Sequence, residues 1–245
     1  MTKPLNVLTW NIQAAIGTTQ FSHYLTRAHH QLLDAPAKGA RLIELAAVMK
    51  PFDIICIQEV DLGGRRAGFA CQADRIAALS GHDFVAKQEN RTIPGISRHG
   101  NAILSRIPFA EIHDVKLPGK VRGRGALFAT LDHPSELLLA SVHLSLGKAD
   151  QALQLEEVAK QVRGKSNFAI MGDLNCEGSS SQLQNFAKSA DATLPKLSYP
   201  PTYPSWRPKR DLDHIITSHR VALNHHTVLP ARLSDHLPVS AQLSV

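Results

Sequence analysis

The chain has 245 residues, 43% hydrophobic and 20% charged, with a formal net charge of +6 and a pI near 9.4. This composition excludes a disordered or low-complexity chain, and no apolar run approaches the roughly 18 residues that a membrane-spanning helix needs. The positive excess favours a phosphate-bearing partner, although it also serves ordinary solubility.

Met1 to Pro4 lead straight into a strand-like stretch without the apolar core of a signal peptide, so a cytoplasmic location is expected. Leu5, Val7 and Thr9 alternate with Asn6, Leu8 and Trp10, a half-buried strand that exits at Asn11. Phe21 to Leu33 reads as helical, and Lys38 to Met49 as an amphipathic helix with Leu42, Leu45, Ala46 and Met49 on one face, stopped by Pro51. Phe52 to Ile57 has the continuous apolar character of a strand covered on both faces, and it ends in Gln58-Glu59. A carboxylate there is either a solvated terminus or a ligand. The three cysteines, Cys56, Cys71 and Cys176, have no metal-ligand spacing and read as reduced thiols.

Next comes a Gly-rich basic loop with Arg65 and Arg66, which suits a phosphate contact, although an exposed charge pair is the commoner meaning. A helix is expected from Ala70 to Leu79 and a strand from Asp83 to Lys87, followed by a polar loop from Gln88 to His99. Strands follow at Gly100 to Arg106, Ile112 to Leu117, Ala126 to Leu131 and Glu136 to Leu144. A second basic loop, Arg122 to Gly125, includes Arg124. His143 lies near the end of its strand, where a lone histidine is more often a satisfied core residue than a catalyst. Asp150 to Val162 is an amphipathic helix closed by Gly164.

Phe168 to Met171 is a short apolar strand that breaks at Gly172 and then presents Asp173 and Asn175 two positions apart, on one side of the chain. Two polar side chains on a rigid strand end suit activation of a water and the holding of a phosphate oxygen; Gly-Asp-x-Asn is equally ordinary turn chemistry. Ser179 to Ser189 reads as a helix, and Leu194 to Pro208 as a Pro-bearing loop with Tyr199, Tyr203 and Trp206. Asp213 opens a further strand, and Ser234-Asp235-His236-Leu237-Pro238 precedes a closing strand to Leu243. No linker, repeat or low-complexity segment interrupts the chain, so residues 1–245 are expected to form a single domain, in a monomer. Charged residues at several strand ends argue for a shared cleft, because buried charge is expensive unless paired or bound to metal. The set is oxygen donors plus histidine without clustered thiolates, which favours Mg²⁺ or Mn²⁺ over zinc.

Seven ordered motifs then resemble the endonuclease/exonuclease/phosphatase superfamily: Thr9-Trp10-Asn11-Ile12, Ile57-Gln58-Glu59-Val60, Gly100 to Ser105, Ser141 to Leu144, Met171 to Asn175, Leu212-Asp213-His214-Ile215 and Ser234 to Pro238. Each is weak alone, but together they span essentially the whole chain in the family's order. The resemblance implies an α/β fold, a four-layer αββα sandwich with two packed mixed β-sheets. It also implies a Mg²⁺-dependent phosphoesterase, with Mn²⁺ able to substitute. Carried over residue by residue, it makes Glu59 the principal metal ligand, with Asn11 beside it and Asp235 assisting. Asp173 would position or deprotonate the attacking water and Asn175 would hold the phosphate or nucleophile. His236, oriented by Asp213, would hydrogen-bond a non-bridging phosphate oxygen or serve in proton transfer, and His143 would contact the scissile phosphate. Arg65, Arg66, His99, Asn101, Arg122, Arg124 and Trp206 are the expected substrate contacts. Gln13 stands where many relatives carry a carboxylate, which weakens the case for a second metal ligand there. Substrate class stays open between a nucleic acid, with DNA preferred on charge, and a small phosphoester or lipid headgroup. A binding domain with a decayed site is a third, less favoured reading.

Overall fold

Continuous apolar strands predict burial on both faces, and β2 (Ile54–Asp61) shows it: Ile54 and Cys56 point into one core cluster while Ile55 and Ile57 point into another. The computed structural model describes residues 3–194 and 201–245, so Tyr199 lies outside the described residues. The elements before and after β2 are β1 (Leu5–Asn11), α1 (His23–Thr26), α2 (Pro36–Met49), α3 (Gln72–Ser80), β3 (Phe84–Ile93) and β4 (Ser97–Ser105). They are followed by β5 (Phe109–Lys116), β6 (Gly125–Leu131), β7 (Leu138–His143), α4 (Lys148–Val162), β8 (Phe168–Asp173) and α5 (Ser181–Ser189). The last strands are β9 (Ala192–Thr193), β10 (Asp213–Ser218), β11 (Ala222–Val228) and β12 (Val239–Ser244).

Among the described residues the strands form two six-stranded sheets, in the orders β11-β12-β1-β2-β4-β3 and β5-β6-β7-β8-β10-β9. Each is mixed, with one parallel pair: β1 with β2 in the first sheet and β7 with β8 in the second. Between the sheets lies a core that includes Val7, Cys56, Ile103, Leu127, Leu139, Met171 and Ile215. α2 and α3 cover the outer face of the first sheet through Leu42, Leu45, Met49 and Ile76, and α4 and α5 cover the second through Leu155, Val158, Leu183 and Phe186. The architecture is the expected four-layer sandwich. No helix among the described residues is long and apolar enough to cross a membrane.

Four expectations change. The stretch from Gln88 to His99 is not a loop but the outer part of the antiparallel hairpin β3–β4. It extends beyond the covered sheet and needs no apolar face: Arg91 to Gly95 are all exposed. Phe21 to Leu33 is not one helix; it breaks into the four-residue α1 and a short 3₁₀ turn, Ala28–Gln31. The break falls at Arg27, whose φ of −106° and ψ of 11° leave the helical range, and buried Lys38 then fixes the end of the segment by donating from Nζ to the carbonyls of His30 (2.6 Å) and Leu33 (2.8 Å). β11 was not foreseen: it is an edge strand with a register shift between Asn224 and Thr227, half-exposed and therefore polar.

β8 does not break at Gly172 as expected but runs on to Asp173, with Gly172 paired to Val142 and His214 on its two sides. The φ of Gly172 is +152°, and a Cβ on it would lie 1.9 Å from the Val142 carbonyl oxygen on the paired strand β7. Gly172→Ala is therefore expected to destabilise the fold by about 2–3 kcal/mol, because a main-chain atom rather than a flexible side chain would have to move. Urea denaturation measures this; a loss below about 0.5 kcal/mol would show that the strands can separate freely.

Candidate active site

The exits of the two parallel pairs face one another. Asn11 is in register with Gln58 across β1–β2, His143 with Asp173 across β7–β8, and Asp213 with Asp173 across β8–β10. A hydrogen bond between side chains joins the sheets at the centre of this end: Asn11 Nδ2 donates to Asp173 Oδ2 at 3.0 Å. Asp173 Oδ1 accepts the Asn175 amide at 3.0 Å, so both carboxylate oxygens are fixed.

Glu59 reaches the same place through a bulge. Ile57 pairs with Ala102 but Val60 with Gly100, so Gln58 and Glu59 together oppose Asn101, and Glu59 takes a left-handed φ of 56°. Gln58 is then buried between the sheets, bonded to Ser141 Oγ at 3.0 Å, while Glu59 turns toward the mouth with a side chain 27% exposed. The nearest cationic-capable groups are His99 Nε2 at 3.8 Å and His143 Nε2 at 3.9 Å. Burial works against the charged form of Glu59, but His99, His143 and His236 outweigh it and hold its pKa below the usual carboxylate range.

Asp173 lies 3.5 Å from His143 Nε2 and 3.7 Å from His236 Nε2. Burial pushes its pKa up to about 6, with His236 opposing and Asp213 reinforcing the rise. The Nδ1 of His236 sits 2.8 Å from Asp213 Oδ2. Burial alone would lower the His236 pKa, yet Asp213 and Asp173 raise it well above the ordinary value. His143 moves the opposite way: burial and the nearby Arg124 push it well below the ordinary value. Arg124 Nη1 lies 2.6 Å from His143 Nε2, and so close a permanent donor selects the uncharged imidazole. The cluster thus holds one histidine favoured as imidazolium and one as imidazole.

Asp173, Asp213 and His236 are close enough to share a cation. There Asp213 Oδ2 is already paired with His236 Nδ1 at 2.8 Å, and the only oxygens on offer are those of the Asp173 and Asp213 carboxylates. The oxygen set of Glu59, Asn11 and Asp235 fits a hard divalent ion better. Glu59 makes no short hydrogen bond among the described residues, and Asn11 Oδ1 accepts one, from the Gln13 amide at 3.1 Å. Asp235 takes hydroxyl donors from Tyr24 at 3.0 Å and Ser234 at 3.1 Å. Its pKa is raised by burial, with Glu59 adding to the rise, so the two carboxylates feel each other's charge as two ligands of one cation would.

The remaining expected contacts divide. Arg124 touches the cluster through His143, and His99 faces Glu59. Arg66 is buried against Asp61 at 2.5 Å, and Arg65 and Arg122 are exposed to solvent. Asn101 is fully buried; its Nδ2 bridges the sheets to the Gly125 carbonyl at 3.0 Å and its Oδ1 has no partner. Asn175 Nδ2 donates to the Leu144 carbonyl at 2.9 Å, and Trp206 packs edge-to-face on Tyr24. Two supporting residues escaped sequence reasoning. Tyr24 bonds Asp235 from a segment that carries no motif, and Gln151 of α4 holds the Asn175 carbonyl at 2.9 Å. A polar residue on the apolar face of α4 was the one available signal for Gln151.

Cavities open around this cluster. One of about 220 Å³ includes Glu59, His99, Arg66 and Arg91. Another of about 400 Å³ includes Arg124, Lys120 and Lys148, and a third of about 250 Å³ includes Asn175, Lys148 and Arg210.

The sequence profile of the Endonuclease/Exonuclease/phosphatase family matches residues 8–236. No curated protein matches the sequence significantly. Among solved structures, an endonuclease/exonuclease/phosphatase of Beutenbergia cavernae superposes with a TM-score of 0.78 at 23% identity, covering 100% of this chain and 72% of that one. A mannosyl-6-phosphatase of Bacteroides thetaiotaomicron superposes with a TM-score of 0.72 at 18% identity, over 98% of this chain and 100% of that one. Sphingomyelinase C of Streptomyces griseocarneus gives 0.70 at 16% identity, over 98% and 99%. These likenesses establish the fold and leave the substrate open.

Proposed function

The chain belongs to the endonuclease/exonuclease/phosphatase family, and on that premise we propose that it is a Mg²⁺-dependent nuclease that hydrolyses phosphodiester bonds of DNA, with the whole chain acting as one catalytic domain. Family membership carries the coarser statement, a phosphoesterase that uses a divalent metal. The substrate class rests on one observation: the cavities around Glu59, Arg124 and Asn175 are each walled by basic side chains, Arg66 and Arg91, Lys120 and Lys148, and Lys148 and Arg210. Basic side chains in three separate clefts, two of which also hold a carboxylate outside the metal set, Asp150 or Glu177, suit a chain of phosphates better than a single headgroup.

Glu59, Asn11 and Asp235 are the groups that would hold Mg²⁺. When bound, it supplies Lewis acidity at a non-bridging phosphate oxygen and offsets charge gained on attack. The protein's own groups do the rest. Asp173, fixed by Asn11 and the Asn175 amide, accepts a proton from the attacking water. His236, kept protonated by Asp213, donates to a phosphate oxygen, and His143, beside Arg124, lies 3.5 Å from Asp173 Oδ2, the same oxygen that His236 approaches.

Salt dependence tests the substrate class. Binding of labelled single- and double-stranded oligonucleotides by a catalytically dead Asp173→Asn variant should weaken steeply as salt rises, with a log–log slope near 0.9 per phosphate neutralised on duplex or about 0.7 on a single strand. Arg122→Ala, at an exposed position beside the 400 Å³ cavity, should lower the slope by about one if it contacts a phosphate. Undetectable binding at low salt, together with hydrolysis of a small phosphodiester, would transfer the assignment to small phosphoesters. The pairing of Arg98 with Glu89 and of Arg210 with Glu177 favours that second reading, since it removes free cations from the rim.

A further inference from the structure

The exit of β1 turns back through Gln13, Ala14 and Ala15, three successive residues with φ between 48° and 57°. The exit of β2 runs into the short turn Arg65–Ala67. Between these turns and the β3–β4 arm lies the 220 Å³ cavity, with Glu59 and His99 on its inner wall and Gln13, Gln31, Arg66, Arg91 and Ser97 around it.

Arg66 is the unusual member. It is 7% exposed, its Nε is bonded to Asp61 Oδ2, and its Nη1 is 3.4 Å from Gln31 Oε1. Its Nη2 is buried with no hydrogen-bond partner. A guanidinium N–H in that state is costly unless an acceptor arrives. The Arg66 side chain is held by Asp61 and its main chain by Lys38, whose Nζ donates to the Arg66 carbonyl at 2.5 Å while bonding two carbonyls of the segment opposite. Arg91 is exposed and takes part in no ion pair among the described residues. Gln13 has its Oε1 engaged by the Thr18 amide, which leaves its Nε2 as a donor. Of the two carboxylates nearby, Asp61 is taken up by Arg66 and by the amides of Gly63 and Gly64, and Glu59 belongs to the metal set.

The wall therefore sets the donors of Arg66, Arg91 and Gln13 beside one carboxylate, Glu59, and two apolar side chains, Ile16 and Ile93; with Glu59 committed to a cation, the two guanidinium groups describe a receptor for a multiply charged oxyanion. Its volume falls below that of pockets that enclose whole drug-sized ligands, so it takes a charged group rather than a base or an acyl chain. We infer that this cavity is a subsite for a second phosphoryl group of the substrate, adjacent to the phosphoester under attack. The inference rests on the phosphoesterase reading of the Glu59–Asp173 cluster. On a nucleic-acid strand the group is a terminal phosphomonoester, because an internal phosphodiester would carry the chain onward on both sides of a cavity this small. On a small molecule it is a second phosphomonoester. Either presents a dianion to Arg66 and Arg91.

The experiment compares kcat/KM for one short oligonucleotide bearing a 5′-phosphate, a 3′-phosphate or no terminal phosphate, with a sugar bisphosphate against its monophosphate as a parallel arm, for wild type, Arg91→Ala and Arg66→Gln. One terminally phosphorylated form is expected to be preferred by about tenfold or more, and Arg91→Ala, at an exposed position, should erase most of that preference. Arg66→Gln should do the same, provided its melting temperature shows that the Asp61 contact is not needed for folding; Arg91→Ala decides alone if it is. Preference in the oligonucleotide arm assigns the group to a strand end, and preference in the sugar arm alone assigns it to a small bisphosphate. Equal rates for the oligonucleotides and for the sugar pair would overturn the subsite while leaving the phosphoesterase reading intact. No hydrolysis in any arm, with Mg²⁺ or Mn²⁺ present, would overturn both.

Discussion

Asp173→Asn is expected to lower turnover by about 10²- to 10⁴-fold, the range for loss of a positioned proton acceptor, while the protein still folds. The amide retains an oxygen for the Asn175 N–H, so the local turn survives, but it cannot accept a proton from water. It also removes a negative charge 3.7 Å from His236, and the imidazolium loses one of its three carboxylate supports, with Asp213 and Asp235 remaining. The pH profile carries a second signature. Asp173 acts as a base only when deprotonated, and burial sets its pKa at about 6, so kcat/KM should fall as pH drops through that region. A bound cation would move this limb lower, and the variant should lack it. Near-normal turnover in the variant would move the base to another group.

Activity is expected to disappear in EDTA and return with Mg²⁺ or Mn²⁺. Glu59→Gln should raise the metal concentration needed for half-maximal activity by more than about 100-fold, exceeding the effect of losing an outer partner of a ligand. A neutral amide is a poorer ligand than a carboxylate, and Glu59 has no other evident purpose: it sits at a left-handed φ of 56°, a conformation that is unfavourable for a side chain of its size, with its oxygens left without a short hydrogen bond. Calorimetric titration with Mn²⁺ checks the binding directly. Full activity in chelator would remove the metal from the mechanism.

Much of this site was legible locally. The apolar runs before Asn11, Glu59, His143 and Asp173 are properties of a few adjacent residues, and the recurrence of a polar residue at the end of each is what set them apart from ordinary strand ends. The amphipathic stripes of α2 and α4 were equally visible, because helical periodicity is also local. The Gln88–His99 arm was not, since a hairpin exposed on both faces has no apolar face to write into its sequence. The path of the segment after Phe21 was hidden too: its far end is held by Lys38, whose ammonium reaches back to two carbonyls and whose burial no local pattern announces.

The sequence by itself determined which residue types end the strands, and with them the family and the oxygen-and-imidazole chemistry of the site. Tertiary structure alone decided how those ends meet. The bond from Asn11 to Asp173 spans 162 positions and exists only because the two sheets pack face to face. Glu59 points outward because of a register shift against β4. The opposite leanings of His143 and His236 depend on whether Arg124 or Asp213 is the neighbour, and the unpartnered nitrogen of Arg66 on a cavity that four separate segments enclose. Strand propensity follows from neighbours in the chain, whereas charge state and pocket shape follow from neighbours in space, and those are fixed only when the whole sandwich closes.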